Sequence, residues 1–116
     1  MVLLDSRALV IPFRKAVLLV FMPPRETDRR HYQTVSALAD ALQRQFDESV
    51  RVLKIDEATH PAVIRSFDIT RRPALVLVQQ GVERWCHEGL THEGLTDQLP
   101  ITLHLAQQVR ERIAAP

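Results

Sequence analysis

Cys86 is the only thiol in the chain. Thiol–disulfide exchange needs one thiolate to attack and a second thiol to resolve the mixed disulfide, so this chain cannot complete that cycle within itself. Arg84 and His87 are the only sequence neighbours that could lower its pKa. The expected role is structural, a small strand side chain packed or half-packed beside Trp85. A reactive or partner-linking thiol is the alternative.

The second chemical signal is a duplication. His87-Glu88-Gly89-Leu90-Thr91 recurs unchanged as His92-Glu93-Gly94-Leu95-Thr96. Five residues are too few for a structural repeat unit, so the copy reads as a lengthened loop before the last helix. Imidazole and carboxylate together suit several divalent ions. Two histidines in a loop, with no partner cluster elsewhere, make a weak ligand set, and no metal site is expected. His31, His60 and His104 are scattered, and no Ser-His-Asp grouping stands out. The residues therefore nominate no catalytic group and no cofactor.

The elements that must position any site follow from hydrophobic pattern. With 116 residues, 46% hydrophobic and 25% charged, the chain fits one globular domain spanning residues 1–116. A formal charge of +1 predicts no strong attraction to nucleic acid or membrane. The longest apolar run, Ala16 to Met22, is too short to span a bilayer. Arg14–Lys15 in the middle of the first 22 residues, with no small-residue cleavage site after the run, makes a poor secretory signal. One cysteine excludes an internal disulfide, and a cytoplasmic location is expected.

Val17-Leu18-Leu19-Val20-Phe21 has no polar alternation, as in a central strand covered on both faces. Pro23-Pro24 stops it. Tyr32, Val35, Leu38, Ala39, Leu42 and Phe46 then recur on one helical face, with Thr27 or Asp28 as the cap. Val50 to Ile55 alternates around Arg51 and Lys54 as a second strand. Thr59 with Pro61 just inside marks a helix start, and Val63, Ile64 and Phe67 form its apolar stripe. Ala74 to Val78 is another buried strand, and Gln80-Gly81 turns the chain into Val82 to His87, its hairpin partner. Ile101, Leu105, Val109 and Ile113 form one side of a last helix, with Pro100 near its first turn. Residues 1–15 stay open between a short helix and an edge strand. Crossovers followed by an antiparallel hairpin predict an α/β fold with a mixed sheet and helices on both faces.

These residues resemble the thioredoxin superfamily over about residues 16 to 114. The matching stretch is Val52-Leu53-Lys54-Ile55-Asp56-Glu57, Pro61 to Phe67, Ile69-Thr70-Arg71-Arg72-Pro73-Ala74-Leu75-Val76-Leu77, and Gln80-Gly81. In that family a strand ending in Asp leads through a short helix and a loop to a cis-proline, a buried strand and a Gly hairpin. The resemblance implies a thioredoxin-like α/β fold and a cis bond between Arg72 and Pro73. Aligning Phe21 with the family's strand-end phenylalanine puts Glu26 and Arg29 where the family has its two active-site cysteines. Val20 stands where the family has a buried acid on the central strand. Two losses agree that dithiol exchange is absent.

The resemblance further implies a groove beside Pro73, next to the start of the helix that carries the family's redox motif. The residues assigned to it are Arg25, Glu26, Thr27, Arg29, Arg30, Arg71, Arg72 and Pro73. Five guanidinium groups would converge there, which suggests an acidic or carboxylate-bearing partner. The expected function is a non-catalytic protein-binding module, adaptor or chaperone-like, by analogy with thioredoxin-like proteins without the cysteine pair, such as hydrogenase assembly chaperones. The alternative is a superfamily enzyme or a glutathione- or anion-binding protein with an atypical site, for which the helix N-terminus offers free N–H groups. A homo-oligomer is compatible with either.

Overall fold

The computed structural model describes residues 16–46, 48–69, 71–89 and 98–113. The expectation for residues 1–15 lies outside them. Chain order is β1 (Ala16–Phe21), α1 (Arg29–Phe46), β2 (Val50–Ile55), α2 (Pro61–Ser66), β3 (Ala74–Gln79), β4 (Val82–Glu88) and α3 (Gln98–Arg112). The described strands form one mixed sheet in the order β2-β1-β3-β4. β1 and β2 run parallel, with Phe21 opposite Ile55, and the crossover between them is α1. β3 enters antiparallel to β1, and β4 antiparallel to β3.

β1 throughout and β3 from Ala74 to Val78 are apolar because both of their faces are covered. One face of the sheet presents Leu18, Val20, Leu75 and Leu77, which pack with Val35, Leu38, Ala39 and Leu42 of α1 and Leu105, Ala106 and Val109 of α3. The opposite face presents Val17, Leu19, Phe21, Ala74 and Val76, which pack with Val63 of α2 and the half-buried Ile64, Phe67 and Ile69. Phe21 meets Phe67 edge to face, ring centroids 5.6 Å apart. Val20 is fully buried within the first cluster.

Local signals set the ends of these elements. Asp28 caps α1, its Oδ1 accepting the His31 N–H at 3.1 Å, so of the two cap candidates Asp28 takes the role. α2 begins one residue later than Thr59 suggests. Its cap position is His60, with Pro61 first in the helix and no side-chain cap bond. The Thr59 hydroxyl lies 2.9 Å from His60 Nδ1 instead. Gln80 and Gly81 both have positive φ, 53° and 74°, as a two-residue type I′ hairpin turn requires. The Arg72–Pro73 peptide bond is cis.

Candidate functional site

The parallel pairing of β1 and β2 brings the chain segments after both strands out at the same end of the sheet. Met22 N–H donates to the Ile55 carbonyl at 2.9 Å, extending the ladder to the point where Pro23 ends it. Beyond lie Pro23–Thr27 from one strand and Asp56–Thr59 from the other. The loop before β3 closes the third side with Arg72. Together Pro23, Pro24, Arg25, Glu26, Thr27, Asp56, Glu57, Ala58, Thr59 and Arg72 line a cleft of about 470 Å³. Its position outside the carboxyl ends of neighbouring strands is where α/β sheets commonly bind ligands.

Of the residues expected here, the structure brings Arg25, Glu26, Thr27 and Arg72 together in the cleft. Pro73 lies buried beside them, and its carbonyl accepts the Gly89 N–H at 2.9 Å. The remaining arginines go elsewhere. Arg29, first in α1, lines a second hollow of about 330 Å³ with Arg25, Tyr32, Gln33, Ser36, Ala37 and Asp40. Arg30 is exposed on the helix, its carbonyl accepting the Thr34 hydroxyl at 3.0 Å. Arg71 turns toward β4, its guanidinium against Gly89 and its backbone N–H on Glu88 Oε1 at 3.4 Å. The five guanidinium groups therefore do not converge; two of them face the cleft. Residues that are close in sequence leave the backbone in different directions, which sequence alone does not show.

Three carboxylates share the cleft with those two arginines. Glu57 pairs with Arg72 at 3.3 Å. Asp56, half-buried at the end of β2, accepts the Tyr32 hydroxyl through Oδ2 at 3.0 Å. Burial, that bond and the Asp56 charge raise the Tyr32 pKa above 10.0, while Arg25 opposes the rise. The Arg25 guanidinium lies over the Tyr32 ring, 5.2 Å from its centroid, and so forms the partition between cleft and second hollow. Asp56, Glu57, Ala58, Thr59 and Tyr32 were not among the expected site residues. The parallel crossover was the available signal, since it obliges the end of β2 to lie beside the end of β1.

The thiol lies elsewhere. Cys86 is exposed on β4, opposite Val76 of β3, and is not among the residues lining the cleft. Partial burial first, then Glu83 and Glu88, push its pKa above 9.0. His87 stacks on Trp85 at 6.0 Å between ring centroids. The rest of the duplication lies outside the described residues. Among the described residues no group of three or more His, Cys, Asp or Glu side chains could hold a metal ion, and no helix is long and apolar enough to cross a membrane.

No protein-family profile matches the chain, and no curated protein matches it significantly. Solved structures do. Thioredoxin-2 of the malaria parasite, described as a component of its protein secretion machinery, superimposes with a TM-score of 0.61 at 14% identity, covering 84% of this chain and 82% of that one. A second malarial protein gives a TM-score of 0.55 at 14% identity over 87% of this chain and 100% of its own. With the mixed sheet and its helices on both faces, these matches show the thioredoxin-like α/β fold.

Proposed function

We propose that the chain is a non-catalytic protein-binding module that docks a segment of a partner in the cleft beside Pro73. The observation carrying this reading is the cleft itself. Its volume of about 470 Å³ lies in the range of ordinary ligand sites, and three separate segments of chain wall it. Its lining supplies Arg, Glu, Asp and Thr groups that can bond a peptide, and no cysteine. A polypeptide is favoured as occupant because the cleft is open, mixed in charge and walled by separate segments of chain that offer both donors and acceptors.

Site-directed photo-crosslinking tests this. A benzoylphenylalanine at Ala58, on the cleft wall, should attach to a discrete partner in extract of the native cell. The same probe at Gln107, exposed on α3, should not. Filling the cleft with Thr27→Trp should abolish the Ala58 adduct while the urea unfolding midpoint stays near that of the unsubstituted protein. Adducts that are identical at both positions, or indifferent to Thr27→Trp, would overturn the reading. Insulin reduction in the presence of dithiothreitol should run no faster with the protein than without it.

A further inference from the structure

We infer that the segment docked in the cleft presents a basic side chain, arginine or lysine, which seats against Asp56 and Glu26. This inference rests on the cleft being a protein-docking site and assigns the chemistry of what docks there.

The argument comes from where each charge in the cleft is already engaged. The Arg72 guanidinium is held by Glu57 at 3.3 Å, so those two charges largely answer each other. The Arg25 guanidinium lies on the face of Tyr32. Asp56 and Glu26 remain. Neither forms an ion pair with any described residue, and the one hydrogen bond to the Asp56 side chain comes from a neutral phenol. That bond goes to Oδ2, which leaves Oδ1 without a donor. Asp56 is half-buried and Glu26 exposed, and both line the cleft. A guest carboxylate would have to compete with Glu57 for Arg72 or lift Arg25 from its ring. A guest guanidinium or ammonium meets free acceptors without breaking either contact. Guanidinium fits best, because its fork of donors can bridge two carboxylates. The preference is therefore opposite to the one that counting arginines along the sequence suggests.

The test uses the full chain and three capped heptapeptides, acetyl-Gly-Ser-Ala-X-Ala-Ser-Gly-amide, with X as Arg, Gln or Glu. Binding is followed by backbone amide chemical shifts, which report millimolar affinities. The Arg peptide should bind at least tenfold tighter than the Gln peptide, about 1.4 kcal/mol, and the Glu peptide weakest. Shifts should centre on 25–27 and 56–59. The Arg advantage should shrink as salt rises. Asp56→Asn keeps an acceptor for Tyr32 and should reduce the advantage at least threefold. Glu26→Gln, at an exposed position, provides a second variant that spares the fold. Equal binding of all three peptides at the cleft, or tightest binding of the Glu peptide, would overturn the basic seat and leave the docking site standing. An Arg advantage unchanged in both variants would overturn the assignment to Asp56 and Glu26. If no peptide shifts the cleft residues, the docking site itself fails, and this inference with it.

Discussion

The Tyr32 hydroxyl donates to Asp56 Oδ2 at 3.0 Å, tying the first turn of α1 to the end of β2 across 24 residues of sequence. Asp56 lines the cleft and Tyr32 the second hollow beside it, so the bond ties the start of α1 to the segment that follows β2. Tyr32 is also the only tyrosine in the chain, which makes its ionisation directly observable.

Phenolate absorbance near 295 nm should therefore show one transition with its midpoint above 10.0. Asp56→Ala removes the bond and the neighbouring charge and should lower the midpoint. Arg25→Ala removes the cation that favours phenolate and should raise it. Because the folded-state pKa exceeds the unfolded one, the contribution of Tyr32 to stability is fully present below about pH 10 and declines as pH rises through the folded value. The destabilisation caused by Tyr32→Phe should accordingly be larger at pH 8 than at pH 11 in urea titrations. A midpoint at or below 10, or a shift of the wrong sign in either variant, would contradict the geometry.

Gln43 makes a separate tie between α1 and β2. Its Nε2 donates to the Val50 carbonyl at 2.9 Å and its Oε1 accepts the Val52 N–H at 2.7 Å. One side-chain amide thus occupies a donor and an acceptor on a strand that has a described neighbour on one side only, and such groups would otherwise invite another strand. Gln43→Leu removes both bonds and should cost about 1–3 kcal/mol. Gln43→Glu keeps one acceptor, loses the donor, and sets a carboxylate against the Val50 carbonyl. Its loss should be comparable at pH 7 and smaller near pH 4, where a protonated Glu can donate. Urea denaturation at the two pH values, with the unsubstituted protein as reference, measures both effects.

Sequence patterning reached the elements more readily than the site. Apolar runs without alternation identified β1 and β3 as strands covered on both faces, because only that environment removes the need for a polar side. The 3.6-residue recurrence from Tyr32 to Phe46 likewise located α1, and its buried Val35, Leu38, Ala39, Leu42 and Phe46 all come from that stripe. The site was harder because it depends on directions, which pattern does not carry. Arg71 and Arg72 are adjacent, yet one reaches Gly89 and the other Glu57. Asp56 and Glu57 were visible as the end of a strand, but their place near Arg25 is a consequence of parallel pairing between β1 and β2, and Arg72 arrives there because β3 starts antiparallel to the end of β1.

The cap of α1 offers a simpler test. Asp28 accepts the His31 N–H at 3.1 Å and its carboxylate lies 3.7 Å from His31 Nδ1. Asp28→Ala leaves that N–H without its side-chain acceptor and removes a negative charge from the positive end of the helix, for an expected loss of about 1 kcal/mol. Asp28→Asn retains the acceptor and should recover more than half of it. Equal losses for Ala and Asn would mean that charge at this position matters more than the hydrogen bond.

Cys86 gives the last prediction, because exposure and reactivity point in opposite directions there. The side chain is open to reagents, and Arg84 and His87 are the only sequence neighbours that could activate it. In the fold the dominant influences are partial burial and then the carboxylates of Glu83 and Glu88, all of which disfavour the thiolate and raise the pKa above 9.0. Only the thiolate reacts appreciably with iodoacetamide. Alkylation of the folded protein at pH 7.5 should therefore be slower than that of a capped cysteine peptide, and unfolding in urea should bring the rate up to the peptide's. Glu83→Gln and Glu88→Gln should each accelerate alkylation of the folded protein, since each removes a repelling charge, and the two together should accelerate it further. A rate above the peptide's in the folded state would instead identify a cation acting on the sulfur, and would reopen Cys86 as a functional thiol.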